Sequence, residues 1–279
     1  MEKTVAKAFK LLEVLAAHER PRRVSELSRE LDLGKSNVHR LLQTLIELGY
    51  VRQTEHGLYH ASIRVWELGS RVAWRLPVQR AAGDHLKRIA AASAEETQLA
   101  ILDGVDVVFI HAIEAVHPVR VGPVVGRRAP VHCAAVGKAI LAYQPESVVR
   151  LAAKRLHAFT PRTITTSERL RADLAEIRRR GYAINLSEWH ANTHGVAAAI
   201  TNPDGTIDAA VSIIGPSERM QAKKLRILGP MVVEAAAAIG LSLAYATASP
   251  EPPPERAAPL DSGADAAGGD RISTWRAAL

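Results

Sequence analysis

Apolar residues recur at helical spacing near the start of the 279-residue chain, which predicts three short helices. The apolar face of the first helix consists of Val5, Ala8, Phe9, Leu12, Leu15 and Ala16. Ser25 stands where it would cap a second helix over 26–31, and Asp32-Leu33-Gly34 predicts a tight turn after it. A third helix is predicted from Lys35 to Gly49, with inward positions at Val38, Leu41, Leu42, Leu45, Ile46 and Leu48.

A β-hairpin is predicted next, because two short β-prone runs in residues 50–60 flank a polar turn that contains Gly57. Helix, helix, turn, helix and hairpin is the order of a winged helix-turn-helix, whose third helix enters the major groove of DNA, ~12 Å wide. Basic residues of the hairpin would meet flanking phosphate or the minor groove. The candidate DNA-binding residues are Ser25, Lys35, Ser36, Asn37, His39, Arg40, Gln43, Thr44, Arg52 and His56.

Two features of the sequence, the three N-terminal helices and one arginine run, each allow a second interpretation. The three helices also fit a packing module whose polar face meets only water. The run Arg178-Arg179-Arg180 fits a second nucleic-acid patch, but cations also complement the dipole at the C-terminal end of a helix. For this run we favour the solvated helix end.

The middle of the chain alternates between helical and β-prone patterns. Helices are predicted at 61–75, 77–92, 134–143, 145–156, 167–180 and 217–246, and strands at 97–103, 106–114, 119–125, 182–186, 195–201 and 206–214. This order predicts an α+β domain with helices flanking an antiparallel sheet and a cleft between them. We expect a DNA-binding domain at 1–61, a linker helix at 62–76, a second domain at 77–247 and a disordered tail at 248–279.

Composition narrows the class of protein. A content of 47% hydrophobic and 23% charged residues is that of an ordinary globular chain. The net charge of +7 permits a polyanionic partner without requiring one. A single cysteine, Cys133, excludes an internal disulfide and a four-cysteine zinc module. Neither a signal-peptide pattern nor an uninterrupted apolar run of ~18 residues is visible, so we expect a cytoplasmic protein with no membrane contact.

Several motifs resemble those of IclR-type bacterial transcriptional regulators. The segments that carry the resemblance are Val24–Leu45, Leu48-Gly49-Tyr50-Val51, Leu68-Gly69, Pro130–Ala142, Gly181–Asn185 with Glu188-Trp189, Gly195-Val196-Ala197-Ala198 and Asn202-Pro203-Asp204-Gly205. The resemblance implies a winged helix-turn-helix joined to a GAF/PAS-like α+β domain that binds a small effector. It also implies a dimeric, often tetrameric, assembly.

A cleft beside the predicted sheet is the candidate effector site. Backbone amides at the start of the helix near residue 134 could receive a carboxylate, and side chains on facing strands could hydrogen-bond the rest of a ligand. The candidate effector-binding residues are His132, Cys133, Ala134, Ala135, Gly137, Asn185, Glu188, Gly195 and Ser212. The resemblance implies the same positions, but Asn185, Gly195 and Ile214 replace an acidic residue, a cysteine and a second serine that are frequent in the family. These departures favour an effector with an apolar or aromatic part and a carboxylate.

Catalysis and metal binding are the alternatives to effector binding. Cys133 beside His132 suggests a thiol nucleophile, but sequence neighbours rarely supply the geometry of nucleophile and base. Glu188, His190 and His194 have the spacing of metal ligands on a helix, but Asn192-Thr193 and Gly195 argue against a helix there. Paired carboxylates, a Ser/His/Asp arrangement and a phosphate-binding glycine loop are not visible. We therefore expect no enzyme activity, no cofactor and no metal site.

The sequence thus predicts a ligand-responsive, sequence-specific DNA-binding regulator, with repression favoured over activation. Its expected partners are a small effector, a second copy or further copies of the chain, and an operator that is an imperfect palindrome. The half-sites would be spaced by whole helical turns of ~34 Å. The effector would shift the population of domain arrangements. The competing hypotheses are a small-molecule enzyme and a sensor whose N-terminal domain contacts only protein.

Overall fold

A computed structural model describes residues 2–73, 75–119, 121 and 125–248. The predicted disordered tail lies outside the described residues from position 249 onward. The N-terminal part has the predicted order of three helices and a hairpin. Its elements are α1 (Lys3–Ala17), α2 (Val24–Leu31), α3 (Lys35–Glu47), β1 (Val51–Gln53) and β2 (Tyr59–Ala61).

The three helices and the hairpin share one apolar cluster. Leu11 and Leu15 of α1 and Leu27 of α2 pack against the buried face of α3, which consists of Val38, Leu41, Leu42 and Leu45. β1 and β2 pair in antiparallel register. The backbones of Arg22 and Tyr59 exchange two hydrogen bonds of 2.8 Å, which fasten the hairpin to the segment before α2. The face of α3 that remains exposed is therefore held in a fixed direction.

The predicted inward faces of α1 and α3 are partly wrong. Leu11 is fully buried, whereas Phe9 is 60% exposed and Val5 is 52% exposed. Leu48 is 52% exposed because it lies beyond the last residue of α3. Apolar residues occur on more of α1 than the small core covers, so periodicity alone did not locate the buried face.

The predicted cap of α2 is also wrong. The helix begins at Val24, and Arg23 is the residue at its N-cap position. The carboxylate of Glu26 accepts a hydrogen bond of 2.7 Å from the backbone N–H of Arg23. Ser25 therefore lies inside the first turn, where the Glu26 carboxylate does the capping that was expected of the serine.

Two helices connect the hairpin to a second, larger part. They are α4 (Ile63–Ala73) and α5 (Pro77–Ser93). α4 buries none of its residues in the described chain. α5 begins with Pro77 in the first turn, where a missing N–H costs no hydrogen bond, and it packs on the sheet through Leu86 and Ile89.

A six-stranded antiparallel sheet forms the centre of the second part. Its order is β5-β4-β3-β8-β7-β6, and every neighbouring pair is antiparallel. The strands are β3 (Glu96–Asp103), β4 (Asp106–Ile113), β5 (Arg128–Pro130), β6 (Ala183–Leu186), β7 (Thr193–Ile200) and β8 (Ala209–Pro216). The predicted antiparallel α+β architecture is confirmed.

Helices cover the two faces of this sheet. Leu99 and Ala198 lie in the apolar cluster that includes α5, while their neighbours Ala100 and Ala197 lie in the cluster on the opposite face, so alternate residues of one strand enter different apolar clusters. The remaining helices are α6 (Ala135–Leu141), α7 (Glu146–Ala153), α8 (Ser167–Arg180) and α9 (Ala222–Ala248).

Two predicted elements are displaced. The third strand is Arg128–Pro130 rather than 119–125: Val119 and Val125 are not in a strand, and positions 120 and 122–124 lie outside the described residues. The last helix begins at Ala222 rather than at 217. α9 is long and apolar enough to cross a membrane, but it is a core helix here, because Leu225 and Ile239 are fully buried in the cluster against the sheet.

Candidate DNA-reading helix and effector cavity

α3 presents a polar and basic face to solvent. Its exposed predicted residues are Lys35, Ser36, His39, Arg40 and Thr44, and its half-buried ones are Asn37 and Gln43. Ser36 and Arg40 are four residues apart and so lie on one side of the helix. No side chain caps the N-terminus at Gly34, so the first amides of α3 are free to meet a phosphate.

The other predicted DNA-binding residues lie on α2 and in the hairpin, and the turn before α3 is fixed by a side chain of α2. Ser28 Oγ donates a hydrogen bond of 2.5 Å to the carbonyl oxygen of Leu33 and so fixes the turn. Arg52 on β1 and His56 in the hairpin turn are exposed. Ser25 is half-buried in the first turn of α2.

A cavity lies on the α6 side of the sheet. Gln98 of β3 and Ser212 of β8 are direct cross-strand partners on its floor, and Gly195 of β7 pairs with Ile214 in the next row. A Cβ atom on Gly195 would lie 3.3 Å from the carbonyl oxygen of Ile213 and 3.5 Å from the Ile214 side chain. The glycine therefore keeps the floor open between these strands.

The first residues of α6 and several aromatic rings form the walls. Ala134, Ala135 and Val136 line one side. On the other side the rings of Phe109 and Trp189 stack with centroids 6.3 Å apart, and His190 packs 4.2 Å from the Trp189 ring. The other lining residues are Val121, Arg127, Asn185 and Thr193.

The polar groups of the cavity favour an anion. Arg127 and His190 line it, and no lining residue in the described part of the chain is acidic. Burial, with a smaller contribution from Arg127, lowers the pKa of His190. Ser212 Oγ is buried and has no hydrogen-bond partner among the described residues. A hydroxyl without a partner in a cavity needs a ligand group or water to satisfy it.

Three predicted effector residues lie next to the cavity without lining it. His132 Nε2 is 3.0 Å from the carbonyl oxygen of His157, and burial lowers the pKa of this imidazole. Cys133 is fully buried, and burial raises its pKa to about 12, so its thiol is not a nucleophile at neutral pH. A Cβ atom on Gly137 would lie 2.5 Å from the backbone of Val131, so this glycine permits close packing.

Glu188 also lies away from the cavity. Its two carboxylate oxygens are 2.6 and 2.9 Å from Nζ of Lys138, and burial raises its pKa against the opposing effect of that ammonium group. His194 Nδ1 is 2.9 Å from the carbonyl oxygen of Met220, so Glu188, His190 and His194 do not converge. Among the described residues, no group of three His, Cys, Asp or Glu side chains could hold a metal.

The three arginines at the end of α8 act locally. Arg178 donates a hydrogen bond of 2.7 Å to the carbonyl oxygen of Ala142, Arg179 pairs with Glu176, and Arg180 contacts Tyr182. These contacts agree with the helix-end interpretation.

Sequence reasoning missed several lining residues. Gln98 interrupts an apolar strand, which is a signal that could have been used. Phe109, Arg127 and Trp189 come from three different segments and carry no local signal of a shared site.

Comparison with known families and structures agrees with this two-part arrangement. The IclR helix-turn-helix domain model matches residues 4–55, and the model described as bacterial transcriptional regulator IclR C-terminal matches residues 70–241. The chain belongs to the IclR family. As a member of this family it is a DNA-binding transcriptional regulator with a C-terminal effector-binding domain, and not an enzyme.

Individual IclR-family proteins resemble the chain over most of its length. The transcriptional repressor IclR of Escherichia coli (strain K12) is 30% identical over 244 residues, which cover 86% of this chain and 89% of that protein. The crystal structure of the Thermotoga maritima IclR is 29% identical with a TM-score of 0.74, covering 88% of this chain and all of that one. An IclR homologue from Microbacterium hydrocarbonoxydans, complexed with 4-hydroxybenzoate, is 26% identical with a TM-score of 0.77, covering 87% and 99% of the two chains.

Proposed function

We propose that this IclR-family regulator represses transcription in the cytoplasm by binding a palindromic operator as a homodimer, and that an anionic effector alters this binding. In this proposal residues 1–61 bind DNA, 62–76 form the linker and 77–247 hold the effector. The observation that carries the DNA-binding part is the exposed polar and basic face of α3, whose opposite face is fixed in the core. Ser36, Arg40 and Thr44 would reach base edges, while Lys35, Arg52 and His56 would contact phosphate.

Arg40→Ala tests the reading helix. A side chain that contacts a base contributes about 1–3 kcal/mol, so we expect operator affinity to fall roughly 5- to 150-fold without loss of folding. The measurement is an affinity titration at fixed salt on an operator selected from random DNA by the wild-type protein. Arg226→Ala on α9 is the matched control, since it removes an exposed arginine far along the chain from α3. Equal operator affinities of the two variants would show that Arg40 of α3 does not read the operator.

An apolar surface supports the dimer. α4 exposes Ile63, Trp66, Leu68 and Val72, which are 52–67% accessible, and buries none of its residues. α1 adds the exposed Phe9. Exposed apolar side chains of this size are typical of interaction sites, and a second copy of α4 is the self-complementary partner that a palindrome requires.

The effector we propose is a carboxylate with an aromatic or other apolar part. Arg127 supplies positive charge, Ser212 supplies a free hydroxyl, and the stacked rings of Phe109 and Trp189 supply an apolar wall. The complex of the Microbacterium homologue with 4-hydroxybenzoate supports this class. The cavity volume is about 40 Å³, which holds only a few water molecules. An aromatic carboxylate is larger than this space, so its binding must displace lining side chains.

Thermal unfolding tests this effector class. The protein is measured with 4-hydroxybenzoate and, as a probe that lacks the carboxylate, with phenol. A ligand that binds only the folded protein at about 100 times its Kd stabilises it by about 2.7 kcal/mol, which raises Tm by several degrees in a domain of this size. We expect a shift with 4-hydroxybenzoate, none with phenol, and none in Gly195→Val, whose side chain would fill the floor of the cavity. An equal shift with phenol would contradict the need for a carboxylate.

A further inference from the structure

One wall of the effector cavity directly follows, in the chain, a charged residue that does not line the cavity. Trp189 and His190 form this wall, and Glu188 precedes them in the chain. Glu188 instead lines a separate surface cleft together with Lys138 and Asp173. What fixes Glu188 therefore fixes the start of the wall.

Nζ of Lys138 makes four close polar contacts next to this wall. Its side chain is 1% exposed. Nζ lies 2.6 and 2.9 Å from the carboxylate oxygens of Glu188, 2.9 Å from Oδ2 of Asp173, and 2.9 Å from the carbonyl oxygen of Ile184. These partners belong to β6, to the loop after it and to α8. A lysine is almost never buried this deeply unless it is paired, so the packing here is built around its charge.

The backbone around Glu188 is also restrained. Thr163 Oγ1 donates a hydrogen bond of 2.6 Å to the carbonyl oxygen of Glu188, and Thr160 Oγ1 donates one of 2.6 Å to that of Ser187. The N–H of Glu188 donates to Oδ1 of Asn185 at 3.2 Å. With both backbone groups and the side chain of Glu188 bound, the direction of the following residue, Trp189, is set.

We propose that Lys138 is a positioning residue for the effector cavity, which holds Glu188 so that Trp189 stacks on Phe109 as the cavity wall. This inference rests on the proposed effector site and assigns a role to a residue that does not line it. A buried ion pair is not needed for stability alone, because apolar residues of similar volume often replace one without loss. What the ion pair adds is orientation: it holds the Glu188 carboxylate, and the backbone that carries it, in one direction.

The double variant Lys138→Met with Glu188→Leu separates positioning from stability. It replaces the Lys138–Glu188 pair by apolar side chains of similar length and leaves Asp173, whose side chain is 25% exposed, without its ammonium partner. We expect the fold to be retained while the directional link is lost. With 5-fluorotryptophan in the protein, the four tryptophans give four ¹⁹F signals, and Trp189→Phe identifies the one from the wall. We expect the Trp189 signal to shift or broaden in the double variant and the signals of Trp66, Trp74 and Trp275 to stay.

Arg178→Met is the matched control, because it also removes a polar link between α8 and α6 but leaves the loop of Glu188 untouched. Its Trp189 signal should match that of the wild type. Should the double variant fail to fold, Glu188→Gln keeps the volume, removes the charge and is expected to shift the same signal less. An unchanged Trp189 signal in whichever variant folds overturns the proposal.

Binding of 4-hydroxybenzoate distinguishes this proposal from the one on which it rests. If the wild type binds the probe, we expect at least a tenfold weaker Kd in the double variant and an unchanged Kd in Arg178→Met. If the wild type does not bind it, the effector class fails, while the ¹⁹F signal still decides whether Lys138 positions the wall. A Kd within twofold of the wild type in the double variant contradicts the positioning role.

Discussion

Glu95 shows how a buried charge is stabilised in this protein. Its side chain is 1% exposed, and it accepts two hydrogen bonds from Arg219, of 3.0 and 2.8 Å, and one of 3.0 Å from Lys224. A Cβ atom on Gly215 would lie 2.7 Å from this carboxylate, so the glycine makes room for it. Burial alone would raise the pKa of Glu95, but the hydrogen bonds and charges of Arg219 and Lys224 outweigh it, and the pKa is lowered.

Glu95→Gln should therefore lower the free energy of unfolding by an amount that depends on pH. A carboxyl group with a lowered pKa in the folded state stabilises the protein above its usual value of 4.5, and this contribution is lost as the pH falls. We expect the variant to be less stable by about 2 kcal/mol at pH 7, as for hydrogen bonds to charged groups, and the difference to shrink toward pH 3. Urea denaturation from pH 3 to 7 measures it, with the exposed Glu218→Gln as control. A difference that grows on acidification contradicts this account.

At the scale of elements, α4 differs from every other long helix described. α5 and α9 each bury an apolar stripe against the sheet and α8 buries one against α6, whereas α4 buries no residue and exposes Trp66 to 67%. A helix with large apolar side chains and no buried face in its own chain needs a partner to cover it. This is the element on which the proposed dimer depends.

Trp66→Asp tests the role of α4. A charge placed in an apolar interface must be desolvated, so we expect a dimer to become a monomer at micromolar concentration and operator binding to weaken with it. Size-exclusion chromatography with light scattering gives the mass and also distinguishes dimer from tetramer. Arg71→Asp introduces the same charge at an exposed polar position of α4 and should leave the mass unchanged. A wild-type mass for Trp66→Asp would place the interface elsewhere.

For the whole molecule, the position of the charge matters more than its total of +7. Arg178, Arg179 and Arg180 have partners at the end of α8, while Lys35, Arg40 and Arg52 face solvent on α3 and the hairpin. In the proposed dimer, each contact that these residues would make with DNA occurs twice. The salt dependence of DNA affinity can then distinguish phosphate contacts from base contacts.

Arg52→Ala tests this division of labour. Each phosphate contact adds about 0.9 to the slope of log K against log salt concentration, so loss of one contact per protomer should reduce the slope by roughly 2 in a dimer. We expect affinity to fall equally on the selected operator and on sequence variants of it, since phosphate contacts carry no sequence information. Titrations at several salt concentrations measure both quantities. An unchanged slope would show that Arg52 does not contact phosphate.

The sequence by itself determined the order of the elements, the winged helix-turn-helix and the α+β class. Helical and alternating periodicity, together with turn residues such as Asp32 and Gly49, depend on positions near one another in the chain, so they are visible without a fold. Short or weak patterns were less informative, as the displaced third strand and the capping of α2 by Glu26 show.

Only the tertiary structure decided which residues share the cavity. Gln98 and Ser212 become neighbours through strand pairing, and Trp189 meets Phe109 across the sheet. The same packing places Cys133 beside the cavity, with its thiol buried and unreactive. It also places Glu188 on Lys138, fifty residues away in the chain. A periodic pattern shows that a face is apolar but not which surface covers it, because that choice depends on contacts between segments distant in sequence.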